Sequence, residues 1–372
     1  GLRTIGDAAF ASCSSLKNIV LPDGLRTIGY SVFSGCTALE DISFPDSIER
    51  MGGGVFGEMH DNGLTPWYKN YYDACTDDIV YIGRVAYQYK FKDGVYSKEV
   101  SIEIKPGTKG IASGFYEDRN LKVSLYIPDT IEYISKNALR FHGSPEYYVY
   151  ITDLAAWCNI DFEENDDCYT LRKDAFNTSF LFRNYCAKLY LNGEAVTHLV
   201  IPDGVTKIPN GAFANLSQLT DVTIPDSVTE IGDVAFYGCT NLENITFSKN
   251  ISKIGYEAFT NTAWYKNQPD GMLYIGNIAY HYIGTMPENT TLEIKPGTTG
   301  ISQCLVTDLG VNSSTCPNLV GVTLPESITN IGMRAFLGCA NLKQINIPSG
   351  VTAIEANAFR GCSSLESIVL PD

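Results

Sequence analysis

Apolar residues recur at fixed offsets within a phrase of 23 residues, and the phrase is repeated along most of the chain. Its first half reads Leu16, Ile19, Leu21, Pro22, and its second half adds Leu25, Ile28-Gly29, Phe33 and Cys36. Pro22 returns as Pro45, Pro202 as Pro225, and Pro325 as Pro348 and Pro371, while Phe213, Phe236 and Phe259 keep the same step. Ile19 and Leu21, two apart, share the core face of a short strand, which leaves Asn18 and Val20 on the other face. The proline ends the strand, since it has no N–H to give to a ladder. Ile28-Gly29 and Phe33 then return the chain across the back, and Gly29 is read as a bend that a β-carbon would obstruct. So few apolar side chains cannot offset the entropy of ordering a lone unit, so each unit must bury its apolar face against its neighbours. A fixed period of this size predicts a solenoid whose parallel strands stack into one sheet on an inner face.

The blocks IGDAAFASCSSLKNIVLPDGL, IGDVAFYGCTNLENITF and IGMRAFLGCANLKQINIPSGV carry a resemblance to the BspA-like leucine-rich repeats of bacterial surface proteins, over residues 1–57, 103–141, 196–263 and 292–372. The fold this implies is a leucine-rich-repeat solenoid of the α/β type. It is a right-handed coil with short parallel strands inside, turns and short helical pieces on the back, and β-hairpin insertions. The function it implies is a secreted or surface-attached binding protein whose partner is an extracellular protein, either host matrix or another surface protein. It implies no particular ligand, because the family is named for its scaffold. One departure is visible: where the commoner repeat places an asparagine after the strand, this chain has Gly24, Ser47, Gly204, Ser227 and Gly350, so no asparagine ladder is expected there.

Three stretches interrupt what reads as a single array over 1–372. Residues 58–102 and 262–291 are copies of each other, matching Trp67-Tyr68-Lys69-Asn70 to Trp264-Tyr265-Lys266-Asn267 and Tyr81-Ile82-Gly83 to Tyr274-Ile275-Gly276. Each predicts a hairpin, turning at Gly83-Arg84 and Gly276-Asn277. The third, 142–195, has no copy and reads as an irregular insertion. Within it Asp153 predicts a capped short helix carrying Trp157, the run Glu163 to Asp167 an exposed loop, and Asn192-Gly193 a type I′ turn. The chain opens and closes in mid-repeat, which suggests a piece of a longer precursor whose signal and surface anchor lie elsewhere.

The net charge of −15, from 42 acidic and 27 basic residues without a basic cluster, argues against nucleic acid and anionic membranes as partners. No run approaches the roughly 18 apolar residues of a membrane-spanning helix. Six of the eleven cysteines, Cys13, Cys36, Cys239, Cys316, Cys339 and Cys362, hold one repeat position, and repetition of a small apolar side chain predicts a ladder of buried free thiols. Cys158 with Cys168 or Cys186 is left as a pairing to check. The histidines His60, His142, His198 and His281 have no metal-ligand spacing, and Gly52 to Gly57 satisfies a dinucleotide fingerprint only formally, lacking a βαβ unit. No catalytic residue, cofactor or metal is therefore assigned.

The candidate site is the outward face of the strands. Its partner-binding residues are Asp41, Ser43, His198, Asp221, Thr223, Asn244, Thr246, Gln344 and Asn346. The alternative anchors are the aromatic residues of the duplicated insertions, Trp67, Tyr68, Trp264 and Tyr265, with a glycan as the alternative partner. A passive spacer is the third reading.

Overall fold

In a computed structural model, residues 1–57, 64–90, 99–119, 122–142, 147–163, 187–306 and 316–371 are described. The chain divides into two units, Gly1–Val196 and Thr197–Asp372. In both, the period of 23 residues becomes a coil, and successive coils are joined by parallel ladders.

In the first unit Asn18–Val20 pairs in register with Asp41–Ser43, Asn18 opposite Asp41 and Val20 opposite Ser43. The back of the same coils carries a second parallel stack, Thr4–Ile5, Thr27–Ile28 and Arg50–Met51. In the second unit the front strands are His198–Val200, Asp221–Thr223 and Asn244–Thr246, backed by Lys207–Ile208, Glu230–Ile231 and Lys253–Ile254. Later in that unit Thr290–Glu293, Leu319–Thr323 and Gln344–Ile345 continue the front. The back of the regular coils is thus a narrow sheet followed by turns; the described helices fall outside these coils.

Between the two stacks lies the core. Because one aromatic position recurs in each coil, the rings stack on each other: Phe10, Phe33 and Phe56 at 5.6 and 6.2 Å, Phe213, Phe236 and Phe259 at 5.5 Å each, and Phe336 on Phe359 at 5.4 Å. Leu25, Ile28, Val228 and Ile231 are fully buried beside them.

Two features of the coil correct the reading of the glycine in Ile-Gly. A β-carbon on Gly29 would lie 2.6 Å from the backbone nitrogen of Asp7 in the preceding coil, and one on Gly232 would lie 2.6 Å from that of Asn210. Glycine is therefore demanded by close approach of adjacent coils, not by a bend. Left-handed backbone sits two residues later, where Ala8, Ser31, Val234, Glu257 and Arg334 have φ of 50 to 57°.

Polar side chains tie one coil's backbone to the next. Asp7 Oδ1 accepts from the Tyr30 N–H, Asn210 Oδ1 from Asp233, and Asp233 Oδ1 from Tyr256, each at 2.7 Å. At the positions without asparagine, Ser47 and Ser227 accept from the Gly24 and Gly204 amides at 3.1 and 3.2 Å. The hydroxyl takes over the bridging role of an amide side chain.

The duplicated stretches begin with helices that sequence reading did not anticipate, Pro66–Ala74 and Ala263–Lys266, capped by Thr65 and Thr262. The predicted hairpins follow, Ile79–Ile82 with Val85–Tyr89 and Gly271–Ile275 with Ile278–Ile283. They are not appended to the coils. Val85-Ala86 pairs in parallel with Gly110–Ile111, and Ile278-Ala279 with Gly300–Ile301, so each hairpin's second strand serves as a back strand. Tyr81 and Tyr274 lock the re-entry, each accepting a lysine amide, from Lys105 at 3.0 Å and Lys295 at 3.1 Å, and receiving the same lysine's ammonium over its ring.

Regular strands extend into 142–195 as well. Tyr147–Ile151 and Ala187–Leu191 join Glu99–Glu103 and Lys122–Tyr126 in one parallel ladder. Asp153 caps the helix Leu154–Cys158 by accepting from Ala155 and Ala156, and Asn192-Gly193, both at positive φ, turn the chain into Glu194–Ala195.

Candidate functional site

Alternation along a three-residue front strand leaves its first and third side chains outside the core. Asp41, Ser43, His198, Thr223, Asn244, Thr246, Gln344 and Asn346 are exposed, and Asp221 is half-exposed. The parallel register aligns His198, Asp221 and Asn244 in one row and Val200, Thr223 and Thr246 in the next. The first row is bonded across its rungs: His198 Nδ1 lies 2.7 Å from Asp221 Oδ2, and Asn244 Nδ2 donates to Asp221 Oδ1 at 2.8 Å. Thr220 adds its hydroxyl at 2.6 Å. The Thr220 hydroxyl, and next the Asn244 amide, hold the Asp221 carboxyl below the usual aspartate range, so it stays anionic. Asn346 is committed differently: its amide donates to the Leu324 carbonyl and accepts from the Leu324 N–H. Gln344 stands opposite Gly321.

A second row in the first unit was not assembled from sequence. Tyr126, Tyr150 and Tyr190 are register partners on successive strands. Their rings stack at 4.4 Å and 10° between the first two, and 4.8 Å and 24° between the last two. Tyr126 is 39% exposed, and Tyr150 and Tyr190 are half-exposed. Tyr148 stands in the neighbouring row, 6.1 Å from Tyr190, with the Lys122 and Lys188 ammonium groups 5.1 and 5.6 Å from its centroid. Only Tyr126 was legible as an outward residue; its partners follow at intervals of 24 and 40 residues, outside the period.

Six copies of the family model described as BspA type leucine rich repeat region match residues 1–62, 186–295 and 313–372, more than half of the chain. The chain belongs to that family. Among solved structures it is similar to a leucine rich cell surface protein from Faecalibacterium prausnitzii A2-165, at 20% identity over 98% of this chain and 82% of that one, with a TM-score of 0.31. A leucine rich repeat protein of T. pallidum matches at 28% identity over 47% of this chain and 71% of its own, TM-score 0.24. The pneumococcal vaccine antigen PcpA matches at 17% identity over 80% and 75%, TM-score 0.30. No curated protein matches the sequence.

Within this BspA-type array the alternative aromatic anchors are largely turned inward. Tyr68 is 1% exposed, a correction to its reading as a partner anchor: its ring stacks 4.8 Å from Phe56 and its hydroxyl donates to Gln88. Trp67 is half-buried, 5.2 Å from both Phe44 and Phe56. Trp264 repeats this against Phe247 and Phe259 at 5.3 and 5.5 Å, and Tyr265 meets His281 Nδ1 at 2.5 Å. Tyr71, stacked 4.9 Å from Trp67, is 40% exposed.

The thiol position behaves as a small apolar one. Cys36, Cys239, Cys316 and Cys339 are buried and free, Cys362 is half-buried, and Cys13 is exposed. Cys36, Cys239 and Cys362 donate to the carbonyls of Phe10, Phe213 and Phe336 in the preceding coil. Burial pushes the Cys239 thiol up to about 12, which keeps it neutral and inert. Cys158 is free and buried, while Cys168 and Cys186 lie outside the described residues.

Glu163 departs from the exposed loop expected of it. It is half-buried and accepts from the hydroxyls of Tyr30, at 2.7 Å, and Ser135, at 2.6 Å, from Tyr133, and from the Lys136 N–H at 3.0 Å. Its donors come from two other coils, one holding Tyr30 and one holding Tyr133, Ser135 and Lys136, which no local pattern reveals. Residues 164–167 of that run lie outside the described residues. Among the described residues no three His, Cys, Asp or Glu side chains form a metal-binding group, and no helix is long and apolar enough to cross a membrane.

Proposed function

We propose that this BspA-type chain is a non-enzymatic binding protein of the bacterial cell exterior that recognises an extracellular protein through the outward faces of its front strands. One observation carries the reading: His198, Asp221 and Asn244 stand in register, exposed or half-exposed, and bond to one another without serving the core. A preordered polar row lets a partner bind without a large entropy cost for fixing side chains. Asp41, Ser43, Thr223, Thr246, Gln344 and Asn346 extend the same outward face within their own units.

The test is a binding screen of the full chain against purified extracellular-matrix proteins, repeated with an Asp221→Arg/Asn244→Arg variant. We expect at least about a tenfold loss of affinity, equal to 1.4 kcal/mol, with stability changed by only about 0.5 kcal/mol, as for surface substitutions. The carbohydrate reading rests on Tyr71, exposed where it stacks on Trp67. Retained affinity in the arginine variant, with loss in a folded Trp67→Ala/Trp264→Ala variant or binding on a glycan array, moves the site to the duplicated stretches.

A further inference from the structure

Several other tyrosine hydroxyls serve the fold. Those of Tyr30 and Tyr133 donate to Glu163, Tyr71 donates to the Tyr81 carbonyl, and Tyr81, Tyr274 and Tyr280 accept backbone amides. The hydroxyls of Tyr126, Tyr150 and Tyr190 bond to nothing within the chain among the described residues. Three unused hydroxyls in consecutive rungs are an unusual expenditure of tyrosine on a strand face whose counterparts at Ser43, Thr223 and Thr246 are small.

The stacking decides what such a row can recognise. Both faces of Tyr150 are covered by its neighbours, and one face each of Tyr126 and Tyr190 is covered by Tyr150. A sugar ring that stacks on aromatics needs an open face, which the centre of this row lacks. What the row offers is edges, the positive rim of the aromatic quadrupole, together with the hydroxyls. Beside it, the Lys122 and Lys188 ammonium groups lie over Tyr148. Lys122 also pairs with Glu99 at 2.8 Å, and Glu103 is the register partner of Tyr126, so the basic end of the row is at Lys188. Of these two ammonium groups, that of Lys188 is the one without a carboxylate partner among the described residues.

We propose that the Tyr126–Tyr150–Tyr190 row is a docking platform for an extended protein segment carrying acidic side chains, with its carboxylates toward Lys188. The inference rests on the reading that the chain binds a protein through its strand faces, and it names the place and the chemistry. Hydroxyls and ring edges receive the segment's acceptors, and the stacked rings, with two torsions each, are ordered before binding.

The experiment uses the full chain and matched sets of short synthetic peptides in which Glu/Asp positions are kept, replaced by Gln/Asn, or replaced by Lys, with a glycan array alongside. The acidic set is expected to bind best. Tyr150→Phe, which keeps the stack and removes one hydroxyl, should weaken binding several-fold, and Tyr150→Ala by at least about 30-fold, the scale of an interface hot spot. Lys188→Glu should shift preference to the Lys set, with circular dichroism and melting unchanged. No binding by any set, equal binding of the acidic and amide sets, or full affinity in a folded Tyr150→Ala variant overturns the proposal, as does glycan binding that Tyr150→Ala abolishes. If acidic peptides bind and lose affinity only in the Asp221→Arg/Asn244→Arg variant, the strand-face reading stands and this one fails.

Discussion

Val234 sits at φ 50°, in the left-handed region that costs an L-residue about 1–2 kcal/mol and a β-branched one most. The same coil position holds Gly54 and Gly211 elsewhere, so the backbone dictates the conformation and the side chain tolerates it. Asparagine visits this region at lower cost, as Asn137 and Asn357 do at φ 58°. Val234→Asn is therefore expected to raise stability by about 1 kcal/mol in chemical denaturation. A loss instead would mean that the half-buried valine side chain contributes more packing than its backbone costs. The demand for glycine at Gly29 and Gly232 is of another kind, set by the neighbouring coil's backbone.

At the scale of elements, Glu163 fastens the short strand Asp161–Phe162 to the back sheet of the first unit. Arg50 joins in, reaching Asp161 at 2.8 Å and lying over the Tyr133 ring at 4.5 Å. Burial alone would push the Glu163 carboxyl up; hydrogen bonds from Ser135, Tyr133, Tyr30 and the Lys136 N–H outweigh it and leave the group below the ordinary glutamate range. A depressed folded value means that the contribution to stability is present above the unfolded value of about 4.3 and is lost as pH falls through the folded one. The melting temperature should drop more steeply between about pH 5 and pH 2 in the wild type than in Glu163→Gln, which starts lower but lacks that titration. Parallel curves would show that the carboxylate is not held as described. The same burial pushes the Tyr30 and Tyr133 hydroxyls far above their usual range, so they remain donors throughout.

For the molecule as a whole, stability accrues from coil-to-coil interfaces, each repeated with small variations. Phe236, fully buried between Phe213 and Phe259, spans two such interfaces in the second unit. Phe236→Ala should cost about 3–5 kcal/mol, because the cavity lies where neighbouring coils cannot close on it. A loss under about 1 kcal/mol in urea denaturation would rule out the stacked core. The 23-residue period alone determined the coil, its front strands, the buried phenylalanines and thiols and the outward residues from Asp41 to Asn346, because each is set by spacing within one unit. Tertiary structure alone decided the rest. Two-residue back strands such as Thr27–Ile28 carry no alternation and exist only by pairing with their neighbours. The duplicated hairpins became back strands because an edge was there to receive them. The donors of Glu163 lie 27 to 133 residues away, and Tyr150 and Tyr190 come from strands outside the period, so only the stacking of coils brings either group together.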